Sequence, residues 1–465
     1  MRHATRSRTA ALVAPLLLVV AACGARLTDA ERLAGIRSLG RGGVAVGPAG
    51  PGATVGPGAT TGPGATTGPG ATTGPGATTG PGAVVPPGGN GGATDTGVTA
   101  NSITLAVASD ISGVQPGLFK STHQAMSAWA AMVNSQGGLY GRSVKLILQD
   151  TQARDTENQA AVQDACTKAF ALVGSMSAFD GGGAKAGEQC GIPDISAITV
   201  NAARQLAKNV YPAFPQRPDK LAIGTANYIK SKYPEAIKHA AMLYLNAGVT
   251  KANAQQRAKA YTSVGFQFKF YEVQVLEANY GPIVQRMRDD GIQYVNMVAN
   301  YQSIQKLLQA MDQADWFPQV RDFDSVAYSQ KFLTVGAPAE GSLVFLTTGI
   351  YEEVSSNPEM QIYAQWLDRV APGALPDFFG FYAWSAGRLF AKVHQDVGAK
   401  ITRKSFLAGV KNVHSWDANG LHVANDIGAK LISPCFLYLE IKGGKFVRKD
   451  PASGFICNMG GLVNT

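Results

Sequence analysis

Ile103-Thr-Leu-Ala-Val-Ala108 is a short apolar, β-branched run that stops at Ser109-Asp-Ile-Ser-Gly113. Beyond it, Met126, Trp129, Ala130 and Val133 recur at helical spacing until Asn134-Ser-Gln-Gly-Gly138 ends the pattern. After Leu139-Tyr-Gly-Arg142 a second apolar run, Val144-Lys-Leu-Ile-Leu148, closes at Gln149 and Asp150. Strand, polar loop, helix, glycine stop and strand make a βαβ unit, and its right-handed crossover implies a parallel sheet. Ligands bind beyond the carboxyl ends of such strands, so the 109–113 loop is the first place to look for function.

The same alternation runs on from Val98. Strands are expected at 103–108, 144–148, 169–173, 194–198, 240–245, 266–275, 294–299, 323–327, 343–347 and 436–441. Helical patterns lie between most of them, at 115–134, 156–166, 220–232, 254–264, 280–290 and 303–315, and two long ones follow at 358–370 and 377–397. Two blocks of alternation meet near Phe214-Pro-Gln-Arg-Pro218, which predicts two α/β lobes. The expected division is 98–216 with 351–430 for the first lobe and 217–350 with 431–465 for the second. The aromatic run Phe378-Phe-Gly-Phe-Tyr-Ala-Trp384 falls on an expected helix and is assigned to the core.

The first 97 residues have another character. Arg2, Arg6 and Arg8 precede an apolar stretch from Ala10 to Ala22, the pattern of a secretion signal covering 1–22 and too short to span a bilayer comfortably. Val20-Ala-Ala-Cys23 resembles the lipobox of bacterial lipoproteins, which makes Cys23 the expected lipidated N-terminus of the mature chain. From Gly50 to Val85 the hexad Gly-Pro-Gly-Ala-Thr-Thr runs in six near-identical copies. Its glycine and proline content opposes helix and weakens strand, so 23–97 is read as a disordered stalk, spanning roughly 45–50 Å as a coil.

The chain of 465 residues carries a formal charge of +9, three units of it in the segment expected to be removed. The remaining excess is scattered and has no basic cluster interleaved with aromatics, which argues against nucleic acid as a partner. Apart from Cys23 there are four cysteines, Cys166, Cys190, Cys435 and Cys457. Outside the cytoplasm they suggest two disulfides, and although three connectivities exist, Cys166–Cys190 and Cys435–Cys457 each bracket one local unit. No CxxC or HExxH spacing occurs, so neither a metal nor a cofactor is expected. Nor is there a Gly-x-Ser-x-Gly elbow, a Walker A loop or a dinucleotide Gly-x-Gly-x-x-Gly motif. Catalysis is therefore not expected, and a cell-surface hydrolase is the weakest of the readings weighed.

Taken together, several segments resemble type I periplasmic binding proteins, in the leucine/isoleucine/valine-binding branch of ABC importers. They are the 103–113 strand and loop, Val133-Asn-Ser-Gln-Gly-Gly-Leu-Tyr-Gly-Arg142, Val173-Gly-Ser-Met-Ser177, Cys190-Gly-Ile-Pro-Asp-Ile-Ser196, Asn209-Val-Tyr-Pro212, and Asn419-Gly420 after Trp416-Asp417. The resemblance implies two Rossmann-like lobes with parallel-sheet cores, joined by a three-strand hinge and closing on a ligand. It implies a small-molecule solute and permease and ATPase subunits in separate chains; the lipobox-like segment and the stalk independently agree with that placement, a monomer held at the outer face of the cell membrane by a lipid anchor. A sensory protein with the same fold is the alternative.

In that family the strand-end loops of the first lobe hold the charged end of the ligand. Here they carry Asp110 and Gln115 in the first loop, Ser175, Ser177, Ala178 and Phe179 in the second, and Thr199 and Val200 in the third, with Phe119 one turn into the first helix. Hydroxyls and backbone N–H groups suit an anion, although Ser175 and Ser177 also suit capping of the helix that follows. Asp110 has two readings, partner to an ammonium group or organiser of its own loop. From the second lobe the corresponding positions are Asn246, Tyr301 and Tyr328. Val200 stands where amino-acid binders place a threonine, and the segment after Asn246 lacks their usual tyrosine, which puts a zwitterionic ligand in doubt. A small carboxylate, amide or aromatic acid remains open, and the expected solute is a small polar or carboxylate-bearing molecule, whether amino acid, amide or aromatic acid.

Overall fold

The computed structural model of the protein describes residues 85–465; the segment expected to be a secretion signal, Cys23 and nearly all of the repeat lie outside the described residues. The first sheet contains β1 (Ser102–Ser109), β2 (Ser143–Asp150), β3 (Ala171–Val173) and β4 (Asp194–Ile195), all parallel, in the order β2-β1-β3-β4. Every residue of β1 except Thr104 is buried, as a strand covered on both faces requires. Ile103, Leu105 and Val107 pack with Met126, Trp129 and Val133 of α1 (Lys120–Ser135). Ala106 and Ala108 point the other way, into Val162 and Ala165 of α2 (Asp155–Lys168). Two short helices complete this part of the chain, α3 (Ala184–Cys190) and α4 (Ala202–Leu206).

The chain then crosses at 215–219 into β5 (Lys220–Ala222) and the second lobe. There β6 (Ala240–Leu245), β7 (Phe268–Val273), β8 (Tyr294–Val298), β9 (Val320–Phe323) and β10 (Leu343–Leu346) form a parallel set. Two antiparallel strands, β11 (Leu437–Lys442) and β12 (Lys445–Asp450), extend it to the order β12-β11-β10-β9-β8-β6-β7. Four helices accompany it: α5 (Gly224–Lys232), α6 (Thr250–Thr262), α7 (Gly281–Asp289) and α8 (Tyr301–Gln313). After β10 the chain returns to the first lobe as α9 (Pro358–Val370), α10 (Phe378–Val397) and α11 (Arg403–Val410), then crosses a third time before β11. The result is two α/β lobes on a three-strand hinge. The last strand, β13 (Leu462–Asn464), pairs antiparallel with β5 at that hinge.

α10 is the central helix of the first lobe, and Phe381, Tyr382, Trp384, Leu389 and Phe390 on it are all sealed from solvent. It approaches α1 so closely that a Cβ on Gly387 would lie 2.6 Å from the Trp129 indole. Any larger residue there would force the helices apart, because a close-packed core has no free volume to absorb it. Both disulfides form, Cys166–Cys190 and Cys435–Cys457. Among the described residues no helix is long and apolar enough to cross a membrane, and no group of side chains could hold a metal ion.

The differences from the sequence expectations have local causes. The first helix begins at Lys120, not 115, because Gly117 (φ 80°) closes a turn by donating to the Ile111 carbonyl at 2.7 Å. The strand expected at 323–327 is β9, three residues earlier; Asp324 accepts from Val326 N at 3.2 Å and caps a tight 3₁₀ turn over Ser325–Ala327. The helix expected over 220–232 loses its first residues to β5, whose partner β13 lies more than two hundred residues away. The expectation of a stalk over 23–97 fails for its last residues. The guanidinium of Arg142, fully buried, donates to the carbonyls of Thr99 (2.7 Å), Ala399 (2.7 Å), Asn90 (2.5 Å) and Gly92 (2.9 Å). Asp95 accepts from Arg403 N at 2.7 Å. Residues 90–97 are therefore clasped onto the first lobe.

Candidate functional site

The loops that follow β1, β3 and β4 face those that follow β6, β8 and β9, and a cavity of about 320 Å³ lies between them. The first lobe contributes Leu118, Phe119, Met176, Ala178, Phe179, Ile198, Val200 and Phe214, with Phe378 and Phe379 from the start of α10. Phe119 and Phe379 meet edge to face at 4.7 Å, and Phe214 and Phe378 at 5.5 Å. The second lobe adds Leu245, Val298, Phe345 and the 247–250 turn, and most of the polar groups: Asn253, Gln256, Arg257, Asn300, Asp324 and Ser325. The lobes touch at the rim. Gly248 adopts φ 51°, and a Cβ built on it would lie 3.2 Å from the Ala178 carbonyl and 3.7 Å from the Phe179 ring.

Of the residues expected at the site, Gln115, Phe119, Ala178, Phe179 and Val200 line this cavity. Asp110 lies behind it. Its buried carboxylate accepts from Thr151 Oγ1, from Ser177 Oγ and Ala178 N at 2.8 Å each, and from Ala153 N at 3.2 Å. With these donors in place Asp110 organises its loop and is not placed to meet an ammonium group. Ser175 is similarly engaged, its hydroxyl accepting from Ala108 N at 3.0 Å across the sheet. Neither serine caps α3: Gly183 holds that position, and Asn158 Oδ1 accepts its N–H at 3.0 Å. Thr199 is fully buried and its hydroxyl finds no partner among the described residues. The hydroxyl-rich first lobe expected from the sequence thus turns its hydroxyls inward and its hydrocarbon outward.

The three second-lobe candidates do not line the cavity. Asn246 is exposed beside it. Tyr301 opens α8, one residue beyond Asn300, which does line the cavity and caps the helix by accepting from Ser303 N at 2.9 Å. Tyr328 is buried; its hydroxyl donates to Glu352 at 2.7 Å and accepts from Tyr351 N at 2.5 Å, tying the hinge.

Several lining residues had no local signal in the sequence. Arg257 projects from α6 and donates to Asn296 Oδ1 at 3.0 Å and Asp324 Oδ2 at 2.9 Å. Burial opposes its charge, but Asp324 together with Tyr261 and Tyr294 outweighs it and holds its pKa above the usual arginine value. Beneath this pair lies Asp322, fully buried, which accepts from the Tyr294 hydroxyl at 2.7 Å. Burial pushes Asp322 up to about 7 against the opposing pull of Tyr294 and Arg257. In the first lobe Asp150 goes the other way: burial would raise it, yet donors from Ser112, Gln152 and Ile111 hold it at about 2. Phe378 and Phe379 were legible only as core; the first turn of α10 in fact reaches the cavity.

A Ser–His contact occurs elsewhere. Trp416 Nε1 donates to Ser385 Oγ at 2.9 Å, and Ser385 Oγ lies 2.7 Å from His422 Nε2. Both residues are sealed from solvent, and His422 Nδ1 faces the Val423 carbonyl at 2.7 Å, not a carboxylate. Burial lowers His422 to about 4, which keeps it neutral. The trio braces α10 against the 416–425 turn.

The profile of one family, periplasmic binding protein, matches residues 102–442. No curated protein sequence matches the chain. Among solved structures the chain is similar to a fatty acid ABC transporter substrate-binding protein from Thermomonospora curvata, with a TM-score of 0.67, 15% identity, and coverage of 78% of this chain and 94% of that one. It is similar to an R. palustris solute-binding protein in complex with 4-hydroxybenzoate, with a TM-score of 0.63, 16% identity, and coverage of 75% and 96%. A Streptococcus pneumoniae branched-chain amino acid binding protein in complex with isoleucine gives a TM-score of 0.61, 12% identity, and coverage of 75% and 100%. At such identities the likeness concerns the fold.

Proposed function

The chain belongs to the periplasmic binding protein family, and from that premise we propose that it is the solute-binding component of an ABC importer, trapping a small solute with a substantial apolar body between its lobes. One observation carries the reading: the first-lobe wall of the cavity is formed by Phe119, Phe179, Phe214, Phe378 and Phe379 together with Met176, Ile198 and Val200. Such a wall rewards burial of hydrocarbon at roughly 25 cal/mol per Å² and offers nothing to a zwitterion. Proteins of similar fold include a fatty acid ABC transporter substrate-binding protein and a solute-binding protein in complex with 4-hydroxybenzoate. No step of chemistry is assigned to the site. The Arg257–Asp324 pair is satisfied within the protein, and the Ser325 hydroxyl next to it donates to the Phe345 carbonyl at 3.0 Å.

In this reading the lipidated Cys23 and the repeat hold the domain at the outer face of the membrane, where separate permease and ATPase chains receive the solute. Binding to the folded state alone raises the melting temperature. A thermal-shift screen of the purified protein should therefore show stabilisation by aromatic and aliphatic acids or amides, with leucine and isoleucine weaker. Failure of every solute at millimolar concentration would remove the binding reading.

A further inference from the structure

The cavity has two unlike halves, and its charges do not balance. Arg217, Lys220 and Arg257 line it against a single carboxylate, Asp324. Arg257 is neutralised by Asp324, which also caps the turn at Val326. Arg217 is held by Asp219, with both nitrogen–oxygen contacts at 2.7 Å. Lys220 is left. Among the described residues its ammonium has no hydrogen bond and no ion pair, although its backbone is fixed: Asn464 pairs with it in the β5–β13 ladder, and Gln256 Nε2 donates to its carbonyl at 3.3 Å and to that of Arg217 at 2.7 Å. A half-buried cation without an ion pair, on the wall of a largely apolar cavity, attracts an anionic ligand.

We propose that the solute is an amphipathic monocarboxylate bound with its head toward the second lobe, where Lys220 is the specificity-determining residue, and with its hydrocarbon against the first lobe. This rests on the solute-binding reading above and fixes the head group and its polarity. A single charge is specified because one uncompensated cation neutralises one; a dianion would leave a charge buried. A cationic or zwitterionic head has no free carboxylate to meet, as Asp324 is engaged and Asp110 lies behind the wall. On the first lobe Ser175, Ser177 and Asp110 are committed to internal contacts and Val200 and Ala178 face the cavity, so the head meets no cation there and only the neutral amide of Gln115.

The test is isothermal titration of the purified full chain with octanoate, its primary amide and the corresponding alcohol, repeated on Lys220→Gln and Lys220→Arg. The acid should bind about tenfold or more tighter than the amide and alcohol. Lys220→Gln should abolish that preference while leaving alcohol affinity within about twofold, and Lys220→Arg should retain most of it. Equal binding of acid and alcohol to the wild type, or an acid preference undiminished in Lys220→Gln, overturns the assignment while leaving solute binding intact. Tight binding of leucine in place of octanoate overturns it as well. Absence of binding by any solute overturns both this inference and the reading on which it rests.

Discussion

The hydroxyl of Ser177 donates to the carboxylate of Asp110 at 2.8 Å, joining the loop after β3 to the loop after β1. Thr151 Oγ1 and Ala178 N converge on the same carboxylate. Three strand ends are held in register by one buried anion, and the cavity wall is built on that register. Replacing Asp110 by alanine leaves these donors without an acceptor, and the expected cost is about 2–4 kcal/mol. The melting temperature should fall by about 5 °C or more, with Asp110→Asn intermediate. A ligand-free protein unchanged in stability would show that Asp110 does not organise the loops.

A hydrocarbon wall has a measurable slope. Each methylene transferred from water into it contributes about 0.8 kcal/mol, or about fourfold in affinity. Across straight-chain acids from butyrate to decanoate, log Kd should fall linearly until the cavity fills, then level off or reverse. A flat series would mean that the tail stays in solvent.

Gly248 marks the place where the lobes meet. Leucine there would add a side chain to a 3.2 Å gap against the Ala178 carbonyl, and it would also carry the strain of a positive φ, about 1 kcal/mol. Closure should suffer more than folding. We expect Gly248→Leu to weaken solute binding about tenfold or more while shifting the ligand-free melting temperature by only a few degrees. Small-angle scattering with saturating solute should report a wider particle than the wild type.

Asp322 gives a signature in pH. Its carboxyl ionises at about 7 in the folded chain and near 4 when unfolded. Between those values the folded state holds a proton that the unfolded state lacks, so this group's contribution to stability falls as pH rises. Asp322→Asn lacks that loss. Its unfolding free energy relative to wild type should climb by about 1 kcal/mol per pH unit from about pH 4 to 7. Urea titrations of both proteins across this range decide it; a difference that stays constant or shrinks would reject the assignment.

The Cys435–Cys457 bridge ties the third crossover to the segment before β13 across a separation of 22 residues, and Cys435 itself lines the cavity. A loop of that length restricts the unfolded chain by about 3 kcal/mol. The Cys435→Ala/Cys457→Ala pair should be destabilised by about that amount in chemical denaturation. Loss of Cys166–Cys190, remote from the hinge, should lower stability without altering solute affinity.

The lobes were legible because periodicity is local: β1, α1 and β2 each carry their own apolar pattern, and each lies close to its expected position. Strands whose partner lies far along the chain were not. β5 and β13 are three residues each, and nothing in Lys220-Leu-Ala222 announces a pairing with Leu462–Asn464. At the site, sequence located the loops and missed the direction in which their side chains point. Ser175 and Val200 sit on neighbouring strand-end loops, yet one hydroxyl caps a backbone amide in the sheet while the other residue faces the cavity. Arg257 and Phe345 had no motif at all; only the folding of α6 and β10 against one cavity brings them together.

The clasp made by Arg142 settles where a pull on the molecule is felt. It grips Asn90 and Gly92 beside Thr99, at the amino-terminal end of β1, whereas the cavity opens beyond the carboxyl end of that strand. Eight residues of strand separate the two, about 26 Å of rigid backbone. Any load arriving through the preceding chain would therefore enter at the floor of one lobe, at the end of β1 away from the mouth of the cavity.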